Sequence, residues 1–362
     1  MMKNSTTLLV DTNWLLQSRV AVMMSKFDSN NSKEIKEQAS QDLKELLAKS
    51  LSLLISKFPE IDNIILVADG GSWRKQLDTP LQLQGSTYKA NRIYKNDFDW
   101  SYIYKAHSEF INLANENGIT TSQYPDIEGD DWIWYWSRKL NSLKINCVIW
   151  SSDNDLKQLI QTDPNTNAFT IWYNDKQGMW LPKDLNNDNM DPLDFFMKFE
   201  YNSPVLESLK KHSPSINYMD PESIVIEKIV CGDASDNILP IIRYKKNTRN
   251  YKITPKEWSK IAKELNIISL DDFFKQKDNI SQYLSTYPKY MDYGIPSSDI
   301  KEMINYNTKL VWLDGCIIPD TIVQNMNQIE YKQFDLKYIR SNYKVLSNDN
   351  KDIESIFEGI AF

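Results

Sequence analysis

TTLLVD, residues 6–11, is a run of β-branched and apolar side chains that stops at an aspartate, and the pattern returns twice. IDNIILVAD (61–69) is a second apolar run ending in an acid, and INCVIW (145–150) is a third that leads into Ser-Ser-Asp. Short continuous runs of this kind read as strands buried on both faces, as in a parallel sheet. Between them lie segments of helical period. One is 33–57, with Ile35, Leu43, Leu46, Leu47, Leu51 and Leu54 at helical spacings; others are 103–116, ended by Asn117-Gly118, and 129–140. Strands alternating with helices indicate an α/β architecture with a central, mostly parallel sheet. AFTIWY (168–173) and GMWLP (178–182), with Asn-Asp-Lys-Gln between them, read as a hairpin.

Residues 72–100 break this pattern: they are polar, Gln-rich and basic, with no sustained period, and read as an insertion between core elements. After about residue 185 the strand signals stop. The stretch 183–215 is rich in Asn, Asp, Pro and Ser, and helical periods follow at 221–231, 255–265 and 298–306. The sequence therefore divides into an α/β core at 1–184 that contains the insertion, a mainly helical region at 185–345 and a tail at 346–362. Polar stretches at 28–42 and 345–352 read as surface, and no internal repeat is present.

Of the 362 residues, 41% are hydrophobic and 25% charged, which suits a globular protein with a core. No apolar run reaches the ~18 residues of a membrane span, and the N-terminus lacks the unbroken apolar region of a signal peptide. Cys147, Cys231 and Cys316 are scattered and unpaired in spacing, which fits free thiols in the cytoplasm. A net charge of −7 argues against a nucleic-acid partner only if the acids are spread evenly. Setting aside the nine carboxylates named next leaves +2.

Those acids hold the chemistry. Asp11 and Asp69 end the first two strands, and Asp153 and Asp155 follow the third. In an open α/β sheet, ligands bind at the C-terminal ends of the strands. Glu128, Asp130 and Asp131 (EGDD) open a helix beside that edge, and Asp233 and Asp236 (GDASDN) open the helical region. Each motif alone also fits a helix cap or a charged helix start. Recurrence at one topological edge does not follow from capping. Clustered carboxylates stay ionised only beside cations, and oxygen-only ligation selects Mg²⁺, with Mn²⁺ as a substitute. Two such ions ~3.5–4 Å apart suit in-line phosphodiester hydrolysis. The two histidines, His107 and His212, lie away from these motifs in the sequence, which disfavours histidine acid–base chemistry and zinc.

The order VDTN, VADGG, YKANR, IEGDD, SSDNDLKQL and GDASDN, over about residues 8–240, resembles the flap endonuclease and 5′-3′ exonuclease superfamily. The likeness is greatest to the branch of T-even-type phage ribonucleases H, and NTKLVWLDGCIIPD at 307–320 resembles that branch too. The resemblance implies a PIN-like nuclease core, an arch over the active site and a helical DNA-binding region. It implies Mg²⁺-dependent removal of RNA primers and 5′ flaps in phage DNA replication, by a monomer in the host cytoplasm. Carried over by motif, the metal ligands are Asp11, Asp69, Glu128, Asp130, Asp131, Asp153, Asp155, Asp233 and Asp236. Of these, Asp11, Asp69, Glu128, Asp130 and Asp153 favour the tighter ion and Asp155, Asp233 and Asp236 the second.

YKANR resembles the family's YKGNR, which makes Lys89 and Arg92 counterparts of its catalytic basic pair, alongside the ligand Asp153. Physically, Arg74, Lys75, Lys89, Arg92 and Lys95 are opposed between residues 74 and 95 only by Asp78 and form a basic arm for nucleic acid. Tyr88 and Tyr94 suit stacking on an unpaired base. Most of the family follows this last acidic motif with a glycine-rich turn that grips duplex backbone, often with K⁺. Here no glycine lies between Gly232 and Gly294, so K⁺ is not expected. Arg243, Lys245, Lys246, Arg249 and Lys252 instead supply a charge-based grip. The apolar C-terminus IESIFEGIAF suits docking to a sliding clamp, and the replication setting adds a single-strand-binding protein as a partner.

Two other functions share parts of this pattern. A PIN-type endoribonuclease acting on single-stranded RNA has the acidic core but no need of the insertion or of GDASDN. A catalytically silent junction-binding protein is expected to have lost a strand-end acid, and none is lost. Trp132, Trp134 and Trp136, next to EGDD, are expected in the core.

Overall fold

The structure is a computed structural model that describes residues 5–80, 88–91, 97–183, 203–246, 249–334 and 336. Its sheet begins with β1 (Thr6–Asp11), which runs into α1 (Thr12–Val20) and, after a short turn, α2 (Lys33–Lys57). There follow β2 (Asn63–Val67), α3 (Trp100–Glu116), β3 (Thr120–Ser122), α4 (Gly129–Ser142) and β4 (Asn146–Trp150). Next come β5 (Gln161–Thr162), β6 (Phe169–Asn174), β7 (Gly178–Pro182), α5 (Ser203–His212) and β8 (Ile216–Met219). The sheet order is β3-β2-β1-β4-β6-β7-β8, with β5 paired to β6. From β3 to β6 neighbouring strands are parallel, and β7 turns back antiparallel on β6.

The apolar runs are central because both faces of each are covered. Every residue of β2, β4 and β6 is buried, as are Thr6–Val10 of β1. Trp132 and Trp136 of α4 are fully buried and Trp134 nearly so, as core residues. A strap from much further along the chain ties down the first residues of β2 and β3. Lys332 N–H donates to Thr120 Oγ1 (2.8 Å), its carbonyl accepts from Asn63 Nδ2 (2.9 Å), and Phe334 N–H donates to Asn63 Oδ1 (3.2 Å).

The second half carries α6 (Pro221–Cys231), the two-stranded hairpin β9 (Arg243–Lys246) and β10 (Arg249–Lys252), α7 (Pro255–Glu264), α8 (Leu270–Lys275), α9 (Lys277–Thr286) and α10 (Ser297–Val311). Pro255 begins α7 under a reciprocal cap between Thr254 and Glu257, the arrangement that fixes a helix start. By contacts the chain forms two compact units. One comprises the described residues of Met1–Gly71, Lys95–Met219 and Thr321–Phe362; the other comprises Ser72–Tyr94 and Asp220–Asp320. Each has its own hydrophobic core.

Several elements differ from the sequence reading. Strands do not stop at residue 185: β8 pairs parallel to β7, and β9 pairs antiparallel to β10. Within 183–215, the stretch rich in Asn, Asp, Pro and Ser, α5 forms. Helix α1 follows β1 with no intervening loop because Asp11 is both the last strand residue and the cap of the helix. The tail at 346–362, with the proposed clamp peptide, lies outside the described residues.

Candidate functional site

The strand order reverses direction at β1, with β2 on one side and β4 on the other. Such a switch point leaves a crevice at the C-terminal strand ends. Asp11 closes β1, Asp69 lies two residues past β2, and Asp153 lies three past β4. The Val10–Trp150 register brings Ser151 beside Asp11.

Each acid is held by hydrogen bonds from a following turn or from a neighbouring element. Asp11 Oδ1 accepts from Trp14 N–H (3.0 Å), and its Oδ2 accepts from Ser151 Oγ (2.7 Å). Ser151, fully buried, also accepts from Asp153 N–H (3.0 Å), so one hydroxyl ties the two acids together. Asp153 Oδ1 accepts from Asp155 N–H (2.8 Å), capping the short turn at Asn154–Leu159. Asp69 Oδ1 accepts from Gly129 N–H (2.6 Å) at the start of α4. A Cβ at Gly129 would sit 3.1 Å from that oxygen, which gives the glycine of EGDD a reason. Gly70 is required more strictly, since a Cβ there would meet Tyr124 O at 1.8 Å. The capping role is thus real at all three acids and accompanies their convergence.

Convergence shows in the electrostatics. Burial, together with the charges of Asp69 and Asp153, pushes Asp11 up to about 6, against the hydrogen bonds from Trp14 and Ser151. Along α4, Glu128 and Asp131 are buried (6% and 0% exposed) while Asp130 is half-buried. Asp153 is exposed and Asp155 half-buried. Among the described residues no group of three or more His, Cys, Asp or Glu side chains is arranged to hold an ion. The donor set at the crevice is nonetheless all oxygen, and its mutual repulsion is what a hard divalent cation relieves.

His107 lies closer to this site than the sequence suggested. Its Nε2 is 2.9 Å from Thr12 Oγ1, and Thr12 donates to Val67 O (2.6 Å), bridging the ends of β1 and β2 directly behind Asp11. Since the Thr12 proton goes to Val67, His107 Nε2–H is the donor. Burial lowers His107 to about 4, so it stays neutral. Ser151 and His107 were not assigned a role from the sequence, although Ser151 stands inside the quoted SSDND.

The other unit holds GDASDN. Asp233 and Ile238 exchange two backbone hydrogen bonds (2.8 Å each), closing the loop. Gly232 adopts φ +73, and a Cβ there would lie 2.4 Å from Ile238 O, so only glycine fits. Burial raises the Asp233 carboxyl, but Lys228 Nζ (2.5 Å) and both Ser235 N–H and Oγ outweigh it and hold the group below the usual carboxylate range. The YKAN turn of the insertion sits on this loop. Lys89 N–H donates to Asp236 O (2.8 Å), and Lys89 Nζ pairs with Asp236 (3.8 Å). Tyr88 OH donates to Asp236 Oδ2 (3.5 Å), and Asn91 Nδ2 donates to Ala234 O (2.8 Å). Lys89 adopts φ 57, a left-handed conformation that this docking holds in place. Tyr88 is buried in the core of the unit, in contrast to the base-stacking expectation.

The basic arm is only partly as expected. Lys75 is exposed, but Arg74 is 2% exposed with its guanidinium 4.5 Å from the Trp73 ring, so its charge is packed inward and not offered to a phosphate. Arg92 and Lys95 lie outside the described residues. Arg243 and Lys252 are exposed and face each other across β9–β10. The backbones of Lys245, Lys246 and Arg249 belong to that hairpin, and their side chains lie outside the description.

This fold, a mixed α/β sheet with acids at a switch point and a helical second unit, is that of the metal-dependent 5′ nucleases. A phage T5 protein co-crystallised with metal ions matches 95% of this chain and 100% of its own, with TM-score 0.53 and 14% identity. The phage T5 flap endonuclease, solved with DNA and metal ions, matches 95% and 100%, with TM-score 0.50 and 15% identity. A variant of the T5 5′-exonuclease matches 90% and 98%, with TM-score 0.50 and 14% identity. No protein-family model matches the sequence, and no curated protein does. No helix among the described residues is long and apolar enough to cross a membrane.

Proposed function

We propose that this chain is a Mg²⁺-dependent 5′-3′ exonuclease and flap endonuclease that removes RNA primers and 5′ flaps during phage DNA replication. The observation that supports the reading is the placement of Asp11, Asp69 and Asp153 at the strand ends around the switch point, with Asp11 raised chiefly by burial and further by the charges of Asp69 and Asp153. Glu128, Asp130, Asp131 and Asp155 complete the ligand set on that unit, and Asp233 and Asp236 are assigned to a second ion by their motif. Bound Mg²⁺ or Mn²⁺ supplies an acidified water and a counter-charge for the leaving oxygen. The protein's own part is orientation: Ser151 and Trp14 fix both oxygens of Asp11, and Gly129 fixes Asp69. Lys89 and Arg92 are assigned to the scissile phosphate, and Lys75, Lys95 and the β9–β10 cations to the backbone of DNA or an RNA–DNA hybrid. A sliding clamp and a single-strand-binding protein are the proposed protein partners.

The test is a gel assay on a 3′-labelled strand annealed as an RNA–DNA hybrid, a nicked duplex and a 5′ flap, with Mg²⁺ or EDTA. Shortening from the 5′ end that needs Mg²⁺ and disappears in Asp153→Asn is expected. Tight flap binding without cleavage would replace the nuclease by a junction-binding protein. Cleavage confined to single-stranded RNA would replace it by a PIN-type endoribonuclease.

A further inference from the structure

Asn307 opens the NTKLVWLDG stretch, to which the nuclease reading gives no task. It lies on α10, fully buried. Its Nδ2 donates to two backbone carbonyls, Ile229 O and Leu239 O, each at 2.8 Å. Those carbonyls bracket the segment that carries Asp233 and Asp236. The orientation of the amide is settled by its neighbours, since a flipped amide would set its oxygen against two carbonyl oxygens.

The need for this contact follows from how α6 ends. In a continuing helix Ile229 O would accept from the N–H of residue 233. Asp233 N–H is instead committed to Ile238 O, which closes the loop. Ile229 O is therefore one of the orphan carbonyls of a helix C-terminus, buried and in need of a donor. Leu239 O stands at the exit of the same loop. One side chain, 78 residues further along the chain than Ile229, supplies both donors.

We propose that Asn307 is a positioning residue for the GDASDN loop: it fixes the spacing between the loop's entry and exit and so the placement of Asp233 and Asp236. The proposal rests on the reading in which those two acids serve metal binding. Groups that orient metal ligands from behind change metal affinity by roughly 10–100-fold when removed. Two variants are informative. Asn307→Ala removes both donors, and Asn307→Asp keeps the size and replaces the donating amide by a carboxylate. Ile304→Val, on the same helix and equally buried but offering no hydrogen-bond donor to remove, gives a control for loss of packing.

The experiment is Mn²⁺ titration followed by electron paramagnetic resonance on full-length protein without nucleic acid, with urea midpoints measured in parallel. Single-turnover cleavage gives the rate and KM separately. Asn307→Asp and Asn307→Ala are expected to weaken the weaker Mn²⁺ site at least tenfold and lower the maximal rate with KM little changed. Ile304→Val should leave the Mn²⁺ affinity within twofold of the parent. Asn307→Ser, smaller and keeping one donor, covers the case in which Asn307→Ala or Asn307→Asp fails to fold. Mn²⁺ affinities of the Asn307 variants within twofold of Ile304→Val would overturn the proposal. Asp233→Asn and Asp236→Asn run alongside: if they leave Mn²⁺ binding intact, the metal role of the loop falls, and the proposal with it. If they weaken binding while the Asn307 variants do not, the proposal alone falls.

Discussion

His107 should make the protein sensitive to mild acid in a way that can be calculated. In the native state it is neutral, lowered to about 4 by burial, with Nε2–H donating to Thr12. In the unfolded chain its value is the ordinary ~6.5. Between those values the unfolded state binds a proton that the native state refuses, so stability falls as pH falls from 6.5 through 4. The shift of about 2.5 units corresponds to about 3 kcal/mol when complete, and about 2 kcal/mol of it is in place by pH 5. Asp11 works in the opposite sense. Its raised native value means that protonation near pH 6 favours the folded form, so the two groups partly cancel in the parent protein. Urea denaturation in EDTA at pH 7, 6, 5 and 4.5, for the parent and for His107→Gln, separates them. The variant should be less stable at pH 7, because a buried hydrogen bond is disturbed, and the gap should close by about 2 kcal/mol at pH 5. Parallel stability curves over that range would refute the buried neutral imidazole.

Lys89→Ala should lower the single-turnover cleavage rate at least tenfold while leaving Mn²⁺ binding nearly intact; an unchanged rate removes Lys89 from the phosphate. Gly129→Ala should keep the melting temperature within a few degrees, since alanine suits a helix start, yet cut the rate roughly tenfold by displacing Asp69. A parent-like rate would mean that the Asp69 position is not critical. Gly232→Ala combines a positive φ with a backbone clash and should destabilise by about 3 kcal/mol or more, read as a lowered urea midpoint. A shift below about 1 kcal/mol would mean that the loop readjusts at little cost.

The central strands were legible because β1, β2 and β4 are buried on both faces and need apolar residues throughout. β8 was not: INYM is short, carries Asn217 and is only half-buried, so its strand character comes from pairing with β7. RYKK and RNYK were read only as a run of cations, because Lys, Arg and Asn mask the Tyr244–Tyr251 pair, whose rings stack at 5.1 Å. The strand-end placement of Asp11, Asp69 and Asp153 could be read because each stands at or just past the point where an apolar run stops. Ser151 could not be assigned, since its contact with Asp11 depends on the register of strands 140 residues apart in sequence. Arg74 was misjudged because charge density in sequence does not say which cation folds inward over a tryptophan. The docking of Tyr88 on Asp236 joins residues 148 positions apart and leaves no local trace.

The strap on β2 and β3 sets a timetable for synthesis. β8 is the last strand of the main sheet to be made, yet Lys332 and Phe334 bond to Thr120 and Asn63 from more than a hundred residues further on. At about 5–20 residues per second, a ribosome needs roughly 6–20 s to cover that interval. For that time the buried side chains of Asn63 and Thr120, at the starts of β2 and β3, wait without these partners while the helical unit, encoded in between, emerges. A buried polar group left without its hydrogen bonds costs stability. A stop codon placed before Tyr331 should therefore leave the sheet less stable, read as a lowered urea midpoint.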